Sequence, residues 1–353
     1  MKQQPVSDPV TGGGRVTVRA IAAETGVSIA TVSRVLNGGE NVAADTRQRV
    51  SDVVERLGDR APEPRKRPQA RATRPPVFVR CPYLLTDYFG HIVTSIAETL
   101  ALHDQSMLLD AGDAVVRSTA VRELPRRRGV NGAVLILPPE PRADLEALVA
   151  RGYPLVVVDP RTAVPPGMVS VSAAHFSGAR AVTRHLIELG HRRIGIIAGP
   201  ERLWSSRARL AGYRAALQAA GLPAPAELVR QDDFCAEGGR RQARHLLDLP
   251  QPPTAIVAGN DSQAFGVLQA LGDRGLRAPD DLSVIGFDDV PVATWATPAL
   301  TTIRQPLAAM AATAFRMLHA QPPLGPDEPH HVELATSLVV RESTGPPGRP
   351  ISS

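Results

Sequence analysis

Short apolar segments alternate with amphipathic segments along most of the chain after residue 76, and this alternation limits the fold more than any other feature. The apolar segments are rich in β-branched residues and have the length of single strands: VFVRC, GAVLIL, PLVVVD, RIGIIAG, TAIVAGN and LSVIGFDD. Near-continuous apolar strands separated by helices are typical of parallel sheets covered on both faces. The order helix, glycine, basic residues and strand also occurs twice. We therefore predict two doubly wound parallel sheets.

The segment before these strands has the composition of a linker. Residues 60–76 contain five prolines among basic residues and alanines, with no large apolar side chain, and so cannot form a core. This linker would separate an all-α module at 16–59 from an α/β domain at 77–342. Residues 1–15 and 343–353 are predicted to be flexible tails.

The positive charge of the chain is concentrated in its first part. Twelve lysines and arginines face seven acidic residues between Arg15 and Arg74, whereas the remaining residues balance, and the formal net charge is +5. A basic module joined to a neutral domain indicates an anionic partner for that module, commonly nucleic acid. A solvated basic face is the alternative on charge alone.

The module at 16–59 has the pattern of a helix-turn-helix. VTVRAIAAETGVSIATVSRVLN fits two helices joined at Gly26, with Ser28 as the N-cap of the second. Small hydroxyl groups suit phosphate oxygens, and an arginine fork suits guanine O6 and N7 in the major groove. The predicted base-reading residues are Ile29, Ala30 and Arg34, and the predicted phosphate contacts are Thr17, Ser28, Thr31, Ser33 and Asn37. A three-helix bundle with scattered hydroxyls is the alternative.

These segments resemble the signature of the lactose-repressor (LacI/GalR) family of bacterial transcription factors. The resemblance runs from about Val16 to Glu342, through VSIATVSRVLN, RLAGYRAAL, AGNDSQAFGVLQAL, LSVIGFDDVP and LTTIRQP. It implies a homodimeric repressor with a helix-turn-helix headpiece and a two-lobed α/β effector domain like that of periplasmic sugar-binding proteins. The implied lobes are 77–171 with 303–333 and 173–300 with 335–342, and the chain would cross between them near residues 172, 301 and 334.

The resemblance also implies an effector cleft between the lobes. Its residues would be Tyr88, Phe89, Asp159, Arg209, Phe234, Asn260, Asp288 and Gln305. The residue chemistry is consistent with this, because Asp159, Asn260 and Asp288 each follow an apolar strand, where open α/β sheets bind ligands. Such groups suit a neutral, polyhydroxylated, sugar-like ligand. Individually, these residues could instead form turns, pack in the core or, for Arg209, pair the lobes.

The sequence departs from the family between residues 58 and 77. Members usually carry a short hinge helix there, with a leucine that enters the minor groove, but this chain has no leucine in that run and has prolines at 62, 64 and 68. Basic residues could follow a narrow minor groove instead: Arg65, Lys66, Arg67 and Arg71. A disordered tether is the alternative.

Other functional classes fit the sequence less well. A periplasmic solute-binding protein would share the fold, but the N-terminus lacks a secretory signal pattern and a helix-turn-helix is present. No nucleophile and base set, phosphate loop or metal-ligand spacing indicates an enzyme, a metal or a cofactor. We expect a cytoplasmic protein that binds a palindromic double-stranded DNA operator. A nucleobase or nucleoside sensor and a regulator controlled by a partner protein remain open.

Overall fold

The structure is a computed structural model. It describes residues 16–37, 42–62, 74–112, 119–162, 167–320 and 331–348. These residues form two compact units, one ending at Thr73 and one beginning at Arg74. The predicted tail at 1–15 and the linker cations Arg65, Lys66, Arg67 and Arg71 lie outside the described residues. None of the described helices is long and apolar enough to cross a membrane.

The first unit contains three helices around a small apolar core. They are α1 (Val18–Thr25), α2 (Ile29–Leu36) and α3 (Ala44–Leu57). Gly26 ends α1 with a positive φ of 68°, and Ser28 caps α2 because its Oγ accepts a hydrogen bond from the Thr31 backbone N–H. Val32 of α2 is buried against Ile21 and Val50. The predicted helix-turn-helix is confirmed.

The second unit contains two parallel sheets, and we call each sheet with its packed helices a lobe. The first lobe has a six-stranded sheet in the order β11-β5-β4-β3-β1-β2. Its strands are β1 (Arg74–Cys81), β2 (Gln105–Ala111), β3 (Ala133–Ile136), β4 (Leu155–Val158), β5 (Val169–Ala173) and β11 (His331–Leu334). Its helices are α4 (Asp87–Leu102), α5 (Thr119–Glu123), α6 (Arg142–Ala150) and α12 (Leu307–Leu318).

The second lobe has a four-stranded sheet in the order β7-β6-β8-β9, joined by an antiparallel pair, β10 and β12. Its strands are β6 (Ile194–Ala198), β7 (Val229–Gln231), β8 (Ala255–Ala258), β9 (Ser283–Ile285), β10 (Thr302–Arg304) and β12 (Ser337–Val339). Its helices are α7 (His175–Glu188), α8 (Trp204–Ala219), α9 (Ala236–Leu247), α10 (Asp261–Gly272) and α11 (Val292–Trp295). Apolar clusters cover both faces of each sheet, as the near-continuous apolar strands predict.

The strand orders fix where a ligand can bind. In each sheet the first strand is flanked by the second on one side and by the third on the other, so the order reverses beside β1 and beside β6. Loops that leave neighbouring strands at such a reversal diverge and leave a crevice at the carboxyl ends. The chain passes between the sheets after β5, after β10 and after β11.

The linker prediction was wrong at its C-terminal end. β1 begins at Arg74, so the strand includes the last three residues of the predicted linker, 74–76. Proline is tolerated at the start of a strand because only its missing N–H is lost to the ladder. The carbonyl oxygens of Pro75 and Pro76 still accept hydrogen bonds, from Gln105 Nε2 at 2.8 Å and from the Asn131 backbone N–H at 3.2 Å.

The predicted flexible tail at 343–353 was wrong for residues 343–348, which pack on the second lobe. Ser343 is fully buried, and its Oγ donates to the Val284 carbonyl at 2.6 Å and accepts from the Thr301 backbone N–H at 2.8 Å. The backbone of Gly348 lies against Asp280 so closely that a Cβ would clash. Long-range hydrogen bonds therefore order a segment whose composition indicates flexibility.

Candidate functional site

One cavity of about 630 Å³, measured out to its mouth, lies at the carboxyl ends of the strands of both sheets. All eight residues predicted for the effector cleft line it: Tyr88, Phe89, Asp159, Arg209, Phe234, Asn260, Asp288 and Gln305. We call it the main cavity. Three of its polar groups come from strand ends, because Asp159 follows β4, Asn260 follows β8 and Asp288 follows β9.

Several residues of the main cavity adopt backbone conformations that non-glycine residues rarely take. Positive φ angles occur at Asp87 (45°), Leu137 (43°), Asp159 (49°) and Asp288 (119°). All four line the main cavity. Such conformations cost free energy and are found where surrounding structure holds a side chain in a required place, typically at ligand sites.

Six polar side chains of the main cavity form a continuous chain of hydrogen bonds from the first lobe to the second. In order they are Tyr88, Asp159, His175, Arg209, Asp288 and Gln305. In its first half, the Tyr88 hydroxyl donates to Asp159 Oδ2, and His175 Nε2 lies 3.2 Å from Asp159 Oδ1. One carboxylate thus receives a donor on each oxygen.

Arg209 joins the two halves of this chain. Its Nη2 lies 3.3 Å from His175 Nδ1 and 3.4 Å from Asp288 Oδ1, while its Nη1 donates to the Gly259 carbonyl. Gln305 Nε2 donates to Asp288 Oδ1 at 2.6 Å. Among the described residues, the ion-pair partner of Arg209 is therefore Asp288 of the second lobe.

Burial and neighbouring charges set the ionisation of this chain. Burial raises the pKa of Asp159, but His175 and the Tyr88 hydroxyl outweigh that effect, so its pKa is lowered and it is ionised. The pKa of Tyr88 is raised well above its ordinary value, by burial and by the Asp159 carboxylate. Burial also lowers the pKa of His175. For Asp288, burial raises the pKa to about 6, although the Arg209 cation acts in the opposite direction.

Two polar atoms of the main cavity have no hydrogen-bond partner among the described residues. They are Nε of Arg209 and Oε1 of Gln305, and both are buried. A buried polar atom without a partner is costly, and it indicates a ligand or water that completes the hydrogen bonds.

Aromatic rings supply the apolar part of the main cavity. The Arg209 guanidinium lies 5.5 Å from the ring centroid of Phe234, which lines the cavity, and 3.7 Å from that of Phe287, which is buried and not part of the lining. Phe89 contacts Tyr88 edge to face, with centroids 5.4 Å apart. One polar atom of Asn260 already has a structural role: its Oδ1 caps α10 by accepting a hydrogen bond from the Gln263 backbone N–H at 2.8 Å.

Sequence reasoning missed His175, the residue that connects the carboxylates of the two lobes. It is the first residue of α7 and comes one residue after the end of β5, so the strand-end rule could have found it. The structure also adds five residues to the lining: Thr86, Asp87, Leu137, Leu203 and Ser205. Of these, Asp87 accepts a hydrogen bond across the lobes, from the Ser262 hydroxyl at 2.9 Å.

The predicted DNA-reading residues lie on one short helix and its caps. Arg34, Ile29 and Ala30 of α2 are exposed, and 48% of the Ile29 surface is accessible. The side chains predicted to contact phosphates already make hydrogen bonds within the protein. Ser28 Oγ lies 2.8 Å from Thr31 Oγ1, and Asn37 Nδ2 donates to the Ser33 carbonyl at 2.7 Å. Thr17 Oγ1 accepts a hydrogen bond from the Ala20 backbone N–H.

Comparison with known proteins identifies both units. The pattern of bacterial regulatory proteins, lacI family, matches residues 17–58, and that of a periplasmic binding protein-like domain matches residues 183–344. The HTH-type transcriptional repressor PurR of Escherichia coli is 31% identical to this chain over 329 residues, which cover 93% of this chain and 96% of the relative. The chain belongs to the LacI family.

Solved structures of LacI-family regulators have the same fold over nearly the full chain. The complex of the transcriptional regulator CelR with cellobiose is 30% identical, with a TM-score of 0.67, and covers 93% of this chain and 100% of that chain. The lac repressor dimer bound to operator and the anti-inducer ONPF is 30% identical, with a TM-score of 0.66. The match covers 94% of this chain and 99% of that chain. This LacI-family protein is therefore a transcriptional repressor, and its relatives are regulators rather than enzymes.

Proposed function

We propose that this LacI-family repressor controls genes of carbohydrate uptake or catabolism and responds to a neutral, sugar-like effector in the main cavity. It acts in the cytoplasm as a homodimer on a palindromic operator, without a cofactor. The helix-turn-helix domain at 16–59 and the two lobes, 77–171 with 303–333 and 173–300 with 335–342, also form part of this proposal, except that the first lobe begins at Arg74, β10 belongs to the second lobe, and the second lobe includes residues 343–348.

The chain of hydrogen bonds from Tyr88 to Gln305 is the observation that supports a sugar-like effector. It offers carboxylate acceptors from both lobes, at Asp159 and Asp288, and paired hydroxyls of a sugar ring suit such acceptors. The Phe234 ring can cover an apolar face of the sugar. The unpartnered Arg209 Nε and Gln305 Oε1 support a ligand that both accepts and donates hydrogen bonds.

The charge of the main cavity argues against an anionic effector. Three lining carboxylates, Asp87, Asp159 and Asp288, face one lining cation, Arg209. His175 is neutral at pH 7, since burial lowers its pKa. A carboxylate or phosphate of a ligand would therefore meet more negative than positive charge, whereas hydroxyl donors would be favoured.

Direct calorimetry on the full chain tests the proposal, with one panel of neutral sugars and one of purine bases and nucleosides. We expect saturable binding of a sugar, lost in Asp288→Ala. Asp248→Ala is the matched control, because Asp248 is exposed and pairs with Arg274 on the surface. Binding of the purine panel alone would contradict the sugar proposal.

A nucleobase or nucleoside is the second candidate effector. Two observations favour it: the 31% identity with the repressor PurR over nearly the whole chain, and the Phe234 ring beside Arg209, which lines the cavity and could stack on a planar base. A protein-partnered regulator of the same fold would bind neither panel.

For DNA, we propose that Arg34 reads a guanine in each half-site. Ile29 and Ala30 would contact thymine methyl groups or tolerate several bases. The exposure of all three on α2 supports this assignment. Thr17, Ser28, Thr31, Ser33 and Asn37 are proposed to position the helix on the phosphates.

A further inference from the structure

A second cavity, of about 860 Å³, lies beside the main cavity and shares a wall with it. The wall is formed by three chain segments in which consecutive residues face opposite cavities. The pairs, with the residue of the main cavity first, are Leu137 and Pro138, Asp159 and Pro160, and Leu203 and Arg202. A ligand in the second cavity would therefore press on the same three segments that hold the effector.

The lining of the second cavity is basic, unlike that of the main cavity. Three arginines line it, Arg142 and Arg161 from the first lobe and Arg202 from the loop before α8 of the second lobe. Glu140 is the one acidic residue among its lining residues, and that side chain is fully buried with its Oε1 2.5 Å from Arg80 Nε. Its Oε1 is thus paired inside the fold, its buried Oε2 has no hydrogen-bond partner among the described residues, and the three arginines face the cavity.

The three arginines have few strong interactions with other protein groups that would compete with a bound anion. Arg161 is half-buried, and its guanidinium makes no hydrogen bond or ion pair with the described residues. Arg202 Nη2 lies 3.6 Å from Asp233 Oδ1, and both side chains are more than 60% exposed, so that pair is weak. Arg142 pairs with Glu146 one helical turn away at 2.7 Å, on the surface of α6.

The α6 helix adds a further positive end to the same cavity. It begins at Arg142, and no side chain caps it. The first backbone N–H groups of a helix carry partial positive charge and bind anions readily. The remaining lining is apolar or small: Pro138, Pro139, Leu145, Val157, Pro160 and Thr162.

We propose that the second cavity binds a small organic anion with two or more acidic oxygens, such as a phosphate ester or a dicarboxylate. Guanidinium groups match such oxygens with two parallel hydrogen bonds. The proline and aliphatic walls accommodate a compact carbon body. This site differs from the effector site in place and in charge, so it does not depend on the nature of the effector.

The anion would join the two lobes. Arg161 follows β4 of the first lobe and Arg202 precedes α8 of the second, and the Trp204 backbone N–H already donates to the Arg161 carbonyl at 2.8 Å. An anion held by both arginines stabilises the arrangement in which these segments are close together. Because the two cavities share a wall, anion and effector will alter each other's affinity by the same factor.

Calorimetry on the full chain at low ionic strength tests the site with three probes: inorganic phosphate, glycerol 1-phosphate and succinate. We expect saturable binding of at least one, weakened at least tenfold in the double variant Arg161→Gln/Arg202→Gln. Arg151→Gln, at the far end of α6, is the matched control for the loss of an exposed arginine and should bind normally. The three probes distinguish phosphate from carboxylate chemistry.

Two further variants separate this site from the rest of the protein. Asp288→Ala should retain anion binding while it loses effector binding, so failure of the effector proposal would leave this result unchanged. Arg34→Gln should also retain it. No saturable binding of any probe, equal binding in the native chain and the double variant, or loss in Arg34→Gln instead would overturn the proposal.

Discussion

Nδ1 of His175 lies 3.3 Å from Nη2 of Arg209, and this contact determines the protonation of the imidazole. A guanidinium only donates, so Nδ1 must accept and carries no hydrogen. The proton of the neutral ring is then on Nε2, which points at Asp159 Oδ1 at 3.2 Å. His175 therefore accepts a hydrogen bond from Arg209 of the second lobe and donates one to the Asp159 carboxylate of the first lobe.

We predict that His175 is neutral at pH 7 and carries its proton on Nε2. Burial lowers its pKa, so the ring should remain neutral below the pH at which an ordinary histidine becomes charged. Imidazole ¹⁵N chemical shifts measured between pH 5 and 8 report both the charge and the tautomer. His185→Gln removes another histidine whose pKa burial lowers and helps to assign the signals. An imidazolium at pH 7 would contradict the prediction.

Effector affinity should fall as the pH falls through about 6. Burial raises the pKa of Asp288 to about 6, so this carboxylate is ionised at pH 7 and becomes protonated in mild acid. Protonation removes an acceptor for effector hydroxyls, and affinity is therefore lost on the acid side. Each pH unit below the pKa should weaken binding about tenfold at most. Calorimetry from pH 5 to 8 measures the profile.

Asp288→Asn is the control for this pH dependence. The amide is similar in shape and does not titrate, so its binding should be weaker at pH 7 and nearly independent of pH around 6. An unchanged acid-side loss in Asp288→Asn would assign the titration to another group, such as His175.

Trp204 should report on the arrangement of the lobes. Its ring stacks on His331 of β11, with centroids 5.5 Å apart, although Trp204 belongs to the second lobe and His331 to the first. The other tryptophan, Trp295, is 78% exposed. In Trp295→Phe, which leaves Trp204 as the sole tryptophan, we expect a change in fluorescence on effector binding. A ligand response that persists in Trp204→Phe and is absent in Trp295→Phe would contradict this.

The sequence predicts those parts of the site that follow a local pattern. Asp159, Asn260 and Asp288 each end an apolar, β-branched run, and strand ends of parallel sheets meet at one edge. His175 follows the less apolar run VSVSA, and its role depends on Arg209, 34 residues further along the chain. Such a pairing exists only after the lobes have come together.

The parts of the structure that the sequence does not predict depend on contacts between distant segments. The residues after Glu342 have the composition of a tail, yet Ser343 is fixed by Val284 and Thr301. The second cavity is likewise invisible in the sequence, because Arg161 and Arg202 come from separate loops. From the neighbouring sequence alone, Ser343, Arg161 and Arg202 would each be predicted to be exposed to solvent.

Arg34→Ala should weaken binding to the cognate operator by ~1–3 kcal/mol and remove discrimination at one base pair in each half-site. Arg34 is exposed on α2 and has a fork that matches guanine. Asn37→Ala is the comparison, because loss of a phosphate contact should weaken binding to all sequences by a similar factor. Binding-site selection with each variant measures the two effects. The same selected motif from Arg34→Ala and the native protein would remove Arg34 from base reading.

The last prediction concerns the coupling between effector and operator, which depends on the linker between Arg60 and the start of β1 at Arg74. Effector that bridges Asp159 and Asp288 favours one arrangement of the lobes, and linkage requires that operator change the effector affinity by the same factor, typically ~1–3 kcal/mol. A hinge helix ordered on DNA transmits lobe movement well, whereas a proline-rich tether without the family's leucine transmits it poorly. We therefore expect coupling at the low end of that range. Operator affinity is measured with and without saturating effector, in the native chain and in Asp288→Ala. A strong response that survives Asp288→Ala would refute the effector assignment, and a native response far above ~3 kcal/mol would show that the linker before β1 forms an ordered hinge on DNA.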